Sequence, residues 1–174
     1  VEIAKVGRVL HAGCGDDPLP EWCAAREEVR LDVRPGARVD IVADIRYLSD
    51  DLISSFDAVV CLHCLEHVTW HEAQDVLRGF ARVLRPGGVA FITVPDLDGV
   101  RCNDKVVYQS PAGPITGIDM FYGYQRQVIN IPEMTHKCGF VSETLHNALA
   151  HTGFHEVSVR HMPIRQLFAV ARRP

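Results

Sequence analysis

The sequence lacks the features that assign a chain to several large classes of protein. None of its apolar runs approaches the roughly 20 residues that cross a bilayer. No charged stretch followed by an apolar one, as in a secretion signal, stands near its first residue. Its formal net charge of −4 supplies no field that attracts nucleic acid or anionic lipid. We therefore expect a cytoplasmic protein whose partners include neither membranes nor nucleic acids.

Internal repeats, low-complexity segments and linkers are also lacking, and a single domain over residues 1–174 is predicted. Hydrophobic residues make up 47% of the chain and charged residues 23%, which is ordinary for a globular domain with a full core. The six cysteines partly occupy apolar, strand-like runs, so we expect reduced thiols rather than a disulfide framework.

Short apolar runs alternate with helical patterns, which is typical of an α/β fold with a mostly parallel sheet. One helix is predicted over residues 71–84, with Thr69 and Glu72 at capping-box spacing before it. A second is predicted from Ser142, as its N-cap, to about Gly153. The predicted strands cover residues 8–12, 29–33, 40–43, 57–62, 89–94, 155–161 and 166–171.

Residues 95–140 show no clear hydrophobic periodicity, and glycine, proline and tyrosine are scattered through them. Long irregular segments in compact domains are usually functional or disordered. Because this one follows a predicted central strand, we interpret it as an insertion that covers the substrate. Tyr108, Tyr122 and Tyr124 are candidates for a pocket wall, although loop tyrosines also serve local packing.

The first predicted strand leads into the turn GCGDDPLP, which restricts the nucleotides that this sheet edge can bind. Gly13 and Gly15 match part of a dinucleotide fingerprint, but Pro18 replaces its third glycine. Asp16 and Asp17 would repel a pyrophosphate, and no G-K-[S/T] follows to make a Walker loop. S-adenosylmethionine (SAM), a cation without phosphate, is compatible with these acids, and glycine allows it to approach the backbone closely.

Asp32 ends the second predicted strand, where an α/β sheet places ligand-binding side chains. A carboxylate only accepts hydrogen bonds, and the ribose of SAM offers two hydroxyl donors. We therefore interpret Asp32 as a ribose ligand. The alternative is a turn residue before RPG.

Five segments resemble, in order and spacing, the motifs of class I SAM-dependent methyltransferases: VLHAGCG, LDV, VADIRYL, FDAVVCLHCLEHV and ARVLRPGGVAFITVPD. A closer resemblance is to small predicted methyltransferases with GCGxxPLPxW, DIVADIR and HKxGF, which are residues 13–22, 40–46 and 136–140 here. The resemblance implies a Rossmann-like, seven-stranded, mostly parallel sheet with an antiparallel last strand, in a three-layer αβα arrangement. It also implies S-adenosylmethionine as the cofactor.

The resemblance also assigns cofactor-binding roles by position. Gly13 and Gly15 would line the methionine part, Asp32 the ribose, and Asp44 with Ile45 the adenine. The three residues after the fourth strand would lie against the methyl donor. The whole predicted set is His11, Gly13, Gly15, Asp32, Asp44, Ile45, Cys61, Leu62 and His63.

His11 departs from the family pattern, which has Asp, Asn or Glu near the methionine amino group. This departure supports an alternative function, a SAM-binding but catalytically degenerate methyltransferase-like partner subunit. Calorimetry with SAM and its demethylated product would separate this alternative from an enzyme.

The segment CLHCLEHVTWH has the densest chemistry in the chain. Cys61 and Cys64 form a C-x-x-C, which in isolation suggests a zinc-binding regulator or a redox site. Against that interpretation, Cys61 lies at the end of a predicted strand, and no second ligand pair follows at useful spacing. The methyltransferase resemblance explains the segment as well, so no metal site is predicted.

His67 matches the histidine of the EH pair in this branch of methyltransferases. It is either a general base, since imidazole titrates near neutral pH, or a residue that packs beneath the cofactor. His136 precedes the late GF and would close over the acceptor. We predict His67 and His136 as catalytic residues in direct methyl transfer to an oxygen or nitrogen of a small-molecule or glycan acceptor.

Overall fold

The computed structural model describes residues 6–174 and contains one large sheet beside a short two-stranded ribbon. The strands are β1 (Val6–Ala12), β2 (Ala25–Asp32), β3 (Ile41–Val42), β4 (Phe56–Leu62), β5 (Leu84–Pro95), β6 (Val106–Ser110), β7 (Gly113–Thr116), β8 (His155–Met162) and β9 (Gln166–Arg172). The helices are α1 (Trp70–Val83), α2 (Gly117–Tyr122), α3 (Gln125–Val128) and α4 (Ser142–His151), with 3₁₀ turns at Ile45–Tyr47, Asp50–Leu52, Leu65–His67 and Pro132–Met134.

The large sheet has seven strands in the order β3-β2-β1-β4-β5-β9-β8. Its first five strands are mutually parallel, and β9 runs antiparallel to both of its neighbours. The predicted Rossmann-like sheet with an antiparallel last strand is therefore confirmed. Because the parallel strands end at one edge, the turns after β1, β2 and β4 lie close together.

Helix α1 begins at the predicted capping box. The Thr69 backbone N–H donates a hydrogen bond of 2.8 Å to Glu72 Oε2, and the Thr69 hydroxyl donates another of 2.8 Å to the same oxygen. The buried face of α1 packs on the sheet through Ala73, Val76, Leu77, Phe80 and Val83.

Replacing Val76 by alanine tests how much this face contributes. Val76 is fully buried, so Val76→Ala is expected to lower the free energy of unfolding by about 2 kcal/mol, from lost apolar burial and the cavity left behind. Urea denaturation measures the change. Arg78→Ala, on the exposed face of the same helix, is the control and should alter stability by less than about 0.5 kcal/mol. Equal losses in the two variants would contradict the prediction.

Helix α4 corrects one predicted cap. The N-cap is Val141 rather than Ser142, which is already helical. The reason lies in the neighbouring threonine, because the Thr144 hydroxyl accepts a 3.0 Å hydrogen bond from the Val141 N–H. Leu145 and Leu149 of α4 are buried in the same apolar cluster as α1, so both helices cover the same face of the sheet.

The opposite face of the sheet has a smaller apolar cluster that includes Val60 and Phe91, and no helix of residues 6–174 contributes to it. A loop of residues 13–24 joins β1 to β2. Trp22 of this loop packs edge-on against Phe91 and Phe168, with ring centroids 5.4 Å apart in each pair. On this face a loop therefore stands in the place of the predicted helical layer.

Residues 95–140 contain more regular structure than their sequence indicated, namely the β6–β7 ribbon and helices α2 and α3. A parallel bridge between Asp96 and Phe140 joins the two ends of the segment at the carboxyl edge of the sheet. The cap of α2 is a Thr116–Asp119 capping box, a signal that the sequence did contain. None of the helices described is long and apolar enough to cross a membrane.

Candidate active site

A cavity of about 180 Å³ lies at the carboxyl edge of the sheet, beside the turns after β1 and β2. It collects four of the residues predicted to bind the cofactor, Gly13, Asp32, Asp44 and Ile45. Cys64 and His67 line it from the turn after β4. The turns after the first four strands, which are distant in sequence, therefore meet at one site.

The packing of these turns requires a glycine at position 13. Its φ angle is +67°, a conformation that residues with a Cβ adopt at a cost. A Cβ at this position would overlap Cys64 Sγ and lie 2.7 Å from Cys64 Cβ. The first glycine turn thus packs directly against the turn after β4. Gly15 also has a positive φ, of +48°, but no atom lies within 4 Å of where its Cβ would be.

Asp32 is buried, and the backbone holds its carboxylate in place. Its Oδ2 accepts a 2.8 Å hydrogen bond from the Gly15 N–H, and its Oδ1 accepts one of 2.9 Å from the Arg34 N–H. Each carboxylate oxygen has a second lone pair, so both can still accept a hydrogen bond from a ligand hydroxyl. Asp32 therefore fits the predicted ribose contact and also braces the glycine turn.

Asp44 caps the 3₁₀ turn at Ile45–Tyr47, and its carboxylate binds the guanidinium of Arg46, with a shortest contact of 2.6 Å. The hydrogen bonds from Arg46 hold the pKa of Asp44 below its ordinary value. Arg46 also contacts Glu72 at the start of α1, at 2.5 Å. Ile45 also lines the cavity, so this turn offers an apolar side chain beside a fixed carboxylate. That combination suits the face and the amino edge of adenine.

The remaining predicted cofactor residues do not line this cavity. His11 is 2% exposed, and its Nδ1 lies 2.9 Å from Glu28 Oε1. Burial lowers the pKa of His11 despite the opposing effect of Glu28. Cys61 is buried within the sheet, where its hydrogen bond to Cys64 and its burial raise the pKa of its thiol. Gly15 borders a shallow cavity with Asp32, and Leu62 and His63 face an apolar groove beside Trp22.

A second cavity, of about 150 Å³, lies between the turn after β4 and the 95–140 insertion. His67 lines both cavities, and His136 lines this one. Of the predicted tyrosine wall, Tyr108 and Tyr124 line the cavity, whereas Tyr122 is 53% exposed and does not. The two predicted catalytic histidines are thus brought together, with ring centroids 5.2 Å apart.

Glu66 is a functional candidate that the sequence interpretation missed. Its side chain is buried under this cavity, and its backbone carbonyl accepts hydrogen bonds from the N–H groups of Lys137 (2.8 Å) and Cys138 (3.3 Å). These bonds hold the end of the insertion against the turn after β4. The available signal was an acidic residue inside the otherwise apolar start of LEHV, just ahead of the predicted catalytic histidine.

Histidines surround the Glu66 carboxylate. Burial opposes its ionisation, but the hydrogen bond from His63 and the charges of His63, His67 and His136 outweigh burial and lower the pKa of Glu66. Burial likewise opposes the charged form of His63, but the Glu66 carboxylate, with Nδ1 to Oε1 at 3.4 Å, raises the pKa of His63. His63 has a φ angle of +49°, a strained conformation of the kind found at functional sites.

All six cysteines are free thiols. Among residues 6–174, neither Cys61 nor Cys64 belongs to a set of three side chains with clustered metal-ligand atoms. The structure therefore does not support the alternative of a zinc site at the C-x-x-C.

Comparisons with known proteins agree with this geometry. A family model described as a methyltransferase domain matches residues 2–159. A probable S-adenosylmethionine-dependent methyltransferase of Mycolicibacterium smegmatis is 30% identical over 167 residues, which cover 88% of this chain and 59% of that protein. A ubiquinone biosynthesis O-methyltransferase of Xanthomonas oryzae is 34% identical over 102 residues, which cover 49% of this chain and 42% of that protein. The chain thus spans about half the length of these relatives.

Solved structures share the fold at low sequence identity. A methyltransferase from Mesorhizobium loti superposes with a TM-score of 0.69 at 17% identity, over 98% of this chain and 94% of that one. A 1,6-didemethyltoxoflavin-N1-methyltransferase from Burkholderia thailandensis, solved with S-adenosylhomocysteine, has a TM-score of 0.62 at 18% identity, over 97% of this chain and 72% of that one. With the sheet, the glycine turn and the family match in agreement, the chain belongs to the class I S-adenosylmethionine-dependent methyltransferases.

Proposed function

We propose that this protein transfers the methyl group of S-adenosylmethionine to an oxygen or nitrogen of a small-molecule acceptor. The observation that carries the proposal is the sharing of His67 by the two cavities. One cavity has the acidic and glycine residues suited to SAM, and the other is lined on one side by residues of the 95–140 segment. A methyl donor in the first cavity and an acceptor in the second would meet beside His67.

In the first cavity, Asp32 would accept hydrogen bonds from the ribose, and the Asp44–Ile45 turn would bind the adenine. Gly13 would allow the methionine part to lie close to the backbone. Placed this way, the sulfonium points toward the turn after β4, where His63 begins the wall of the second cavity. Gly15 braces Asp32, and His11, Cys61 and Leu62 would support the site from outside the cavity wall.

The reaction is a direct displacement. A bond forms between the acceptor atom and the methyl carbon while the carbon–sulfur bond breaks, and its electron pair neutralises the sulfonium. The leaving thioether needs no proton, so the protein contributes mainly alignment and exclusion of water. A hydroxyl acceptor must lose a proton, and His67 and His136 are placed to promote that loss.

The second cavity suggests which acceptors fit. Its wall combines Tyr108, Ile115, Met120 and Tyr124 with the histidines, and aromatic and apolar side chains of this kind suit the faces of a small ring. Two similar proteins are a ubiquinone biosynthesis O-methyltransferase and a 1,6-didemethyltoxoflavin-N1-methyltransferase, and both names refer to ring compounds. We infer a small cyclic acceptor methylated on a ring substituent and retain a sugar acceptor as the alternative.

The test combines cofactor binding with turnover on small phenols, nitrogen heterocycles and sugars. We expect S-adenosylhomocysteine to bind in calorimetry and at least one acceptor class to be methylated. His136→Gln should lower kcat about 100-fold, which is the scale of acid–base catalysis. The affinity for S-adenosylhomocysteine should remain unchanged. His146→Gln, on the exposed face of α4, is the matched control. A chain that binds neither SAM nor its product would contradict the proposal.

A catalytically degenerate, SAM-binding partner subunit is the second candidate. It is favoured by His11, which is buried against Glu28 and therefore turned away from the cavity. Tight cofactor binding without turnover on every acceptor class would select this candidate.

A further inference from the structure

The second cavity, which would hold the acceptor and is called the acceptor cavity below, contains a cluster of three side chains. The displacement reaction by itself does not require these three side chains to lie together. Glu66, His67 and His136 each place one potential metal-ligand atom within 4.8 Å of the other two. Two of them lie in the turn after β4, and the third comes from the far end of the insertion. The fold thus brings a carboxylate and two imidazoles to one point from segments about 70 positions apart.

One oxygen of the Glu66 carboxylate has no polar partner among residues 6–174. Its side chain is 2% exposed, and its Oε2 has no hydrogen-bond partner within the described residues. Asp119 lines the same cavity, yet its two oxygens accept hydrogen bonds from Thr116 and Gln125. A buried carboxylate oxygen without a partner is costly. Oε2 therefore has no partner among the described residues, whereas both oxygens of Asp119 already accept hydrogen bonds.

The two imidazoles are oriented in the way that metal ligands usually are. His67 Nδ1 lies 3.2 Å from the Thr135 carbonyl oxygen, and His136 Nδ1 lies 2.9 Å from the Met120 carbonyl oxygen. Because a carbonyl only accepts, each Nδ1 must carry the proton, and each Nε2 keeps a free lone pair. Metal-binding histidines characteristically donate their other ring N–H to such a backbone group.

We propose that Glu66, His67 and His136 bind one divalent transition-metal ion of the zinc type in the acceptor cavity. Two imidazole nitrogens and one carboxylate oxygen suit Zn²⁺, whereas Mg²⁺ and Ca²⁺ prefer oxygen ligands alone. Three protein ligands leave coordination positions open toward the cavity. The proposal rests on the proposed methyl-transfer function and adds the acceptor class, an oxygen nucleophile that completes the coordination of the ion.

The ion would explain how the acceptor becomes reactive. Coordination stabilises the anionic form of a hydroxyl, so its proton leaves to water and the oxygen becomes a nucleophile near neutral pH. The oxygen then bonds to the methyl carbon, and the carbon–sulfur bond breaks with its electron pair on sulfur. In this arrangement His67 and His136 promote deprotonation by holding the ion rather than by taking the proton.

Zinc titration of the metal-stripped protein tests the site directly, with a chromophoric zinc indicator as competitor. We expect one Zn²⁺ per chain, and we expect His136→Ala and Glu66→Gln each to weaken its binding about 100-fold. His71→Ala removes an exposed histidine of α1 and should leave zinc affinity unchanged. If Glu66→Gln does not fold by circular dichroism, His136→Ala decides the result, because His136 is only partly buried.

Substitution with Co²⁺ identifies the ligands. A nitrogen and oxygen ligand set is expected to give d–d bands without thiolate charge-transfer absorption, and Cys64→Ser should not change them. The proposal is overturned if the stripped protein binds no stoichiometric zinc, or if zinc binds equally well to the His136→Ala and Glu66→Gln variants.

Calorimetry with S-adenosylhomocysteine on the same samples separates the two proposals. Cofactor binding by a protein that binds no zinc overturns the metal site and leaves the proposed methyl transfer intact. Zinc binding by a protein that binds neither SAM nor its product overturns the methyl transfer, while the metal site stands as a binding site.

Discussion

Asp32→Ala is expected to weaken the binding of S-adenosylhomocysteine about 1,000-fold. The carboxylate would accept hydrogen bonds from both ribose hydroxyls, and each charged hydrogen bond contributes about 1.5–3 kcal/mol. The same substitution removes the acceptor that orients the Gly15 N–H, so the glycine turn also loses a support. Isothermal titration calorimetry measures the affinity directly.

Asp51→Ala is the matched control for this change. Asp51 is an exposed aspartate in the 3₁₀ turn at Asp50–Leu52, away from both cavities. We expect it to leave the affinity within about twofold of the original, because surface substitutions seldom change more than about 0.5 kcal/mol. If Asp32→Ala folds and binds the cofactor with unchanged affinity, Asp32 is a turn residue and not a ribose ligand.

Gly13→Ala is expected to lower the free energy of unfolding by about 4 kcal/mol and to abolish cofactor binding. The left-handed backbone costs a residue with a Cβ about 1–2 kcal/mol, and the overlap with Cys64 adds the 1–3 kcal/mol typical of overpacking. Because Cys64 lines the cofactor cavity, its displacement would also narrow the site. Urea denaturation and calorimetry measure the two effects.

Gly15→Ala separates the two causes of this loss. Gly15 has a φ angle of +48° but no neighbour within 4 Å of an added Cβ, so only the backbone cost of about 1 kcal/mol applies. Adding Cys64→Ala to the Gly13→Ala protein should restore part of its stability, since the overlapping sulfur is removed. Equal losses at both glycines, with no recovery in the double variant, would refute the close approach of the two turns.

The local sequence was sufficient to predict the strands of the large sheet. Short apolar runs specified all seven strands of the large sheet, with bounds that differ mainly at strand starts. Strand β2 begins at Ala25, before the predicted residue 29, because the charged residues Arg26, Glu27 and Glu28 interrupt the apolar pattern at its start. Their pairing with β1 extends the strand all the same, with Arg8 bound to Glu27 at 2.8 Å.

The insertion was less predictable, because its elements are short and are stabilised by distant contacts. Helix α2 has six residues and the ribbon strands five and four, too few for a hydrophobic period to emerge. The sequence signal that remained was the Thr116–Asp119 cap. The predicted Ser142 N-cap was wrong for a related reason. The helix begins one residue earlier, where the Thr144 hydroxyl accepts a hydrogen bond from the N–H of Val141, a residue type that does not mark a cap.

By itself the sequence determined the Rossmann-like sheet, the glycine turn and the acid at the end of β2, because apolar alternation and turn chemistry act between near neighbours. Only the tertiary structure decided that Glu66 lies buried among histidines and that His136 meets His67. That meeting depends on the Asp96–Phe140 bridge and on the hydrogen bonds from Lys137 and Cys138 to Glu66. Such contacts join segments distant in the chain, so no local pattern encodes them.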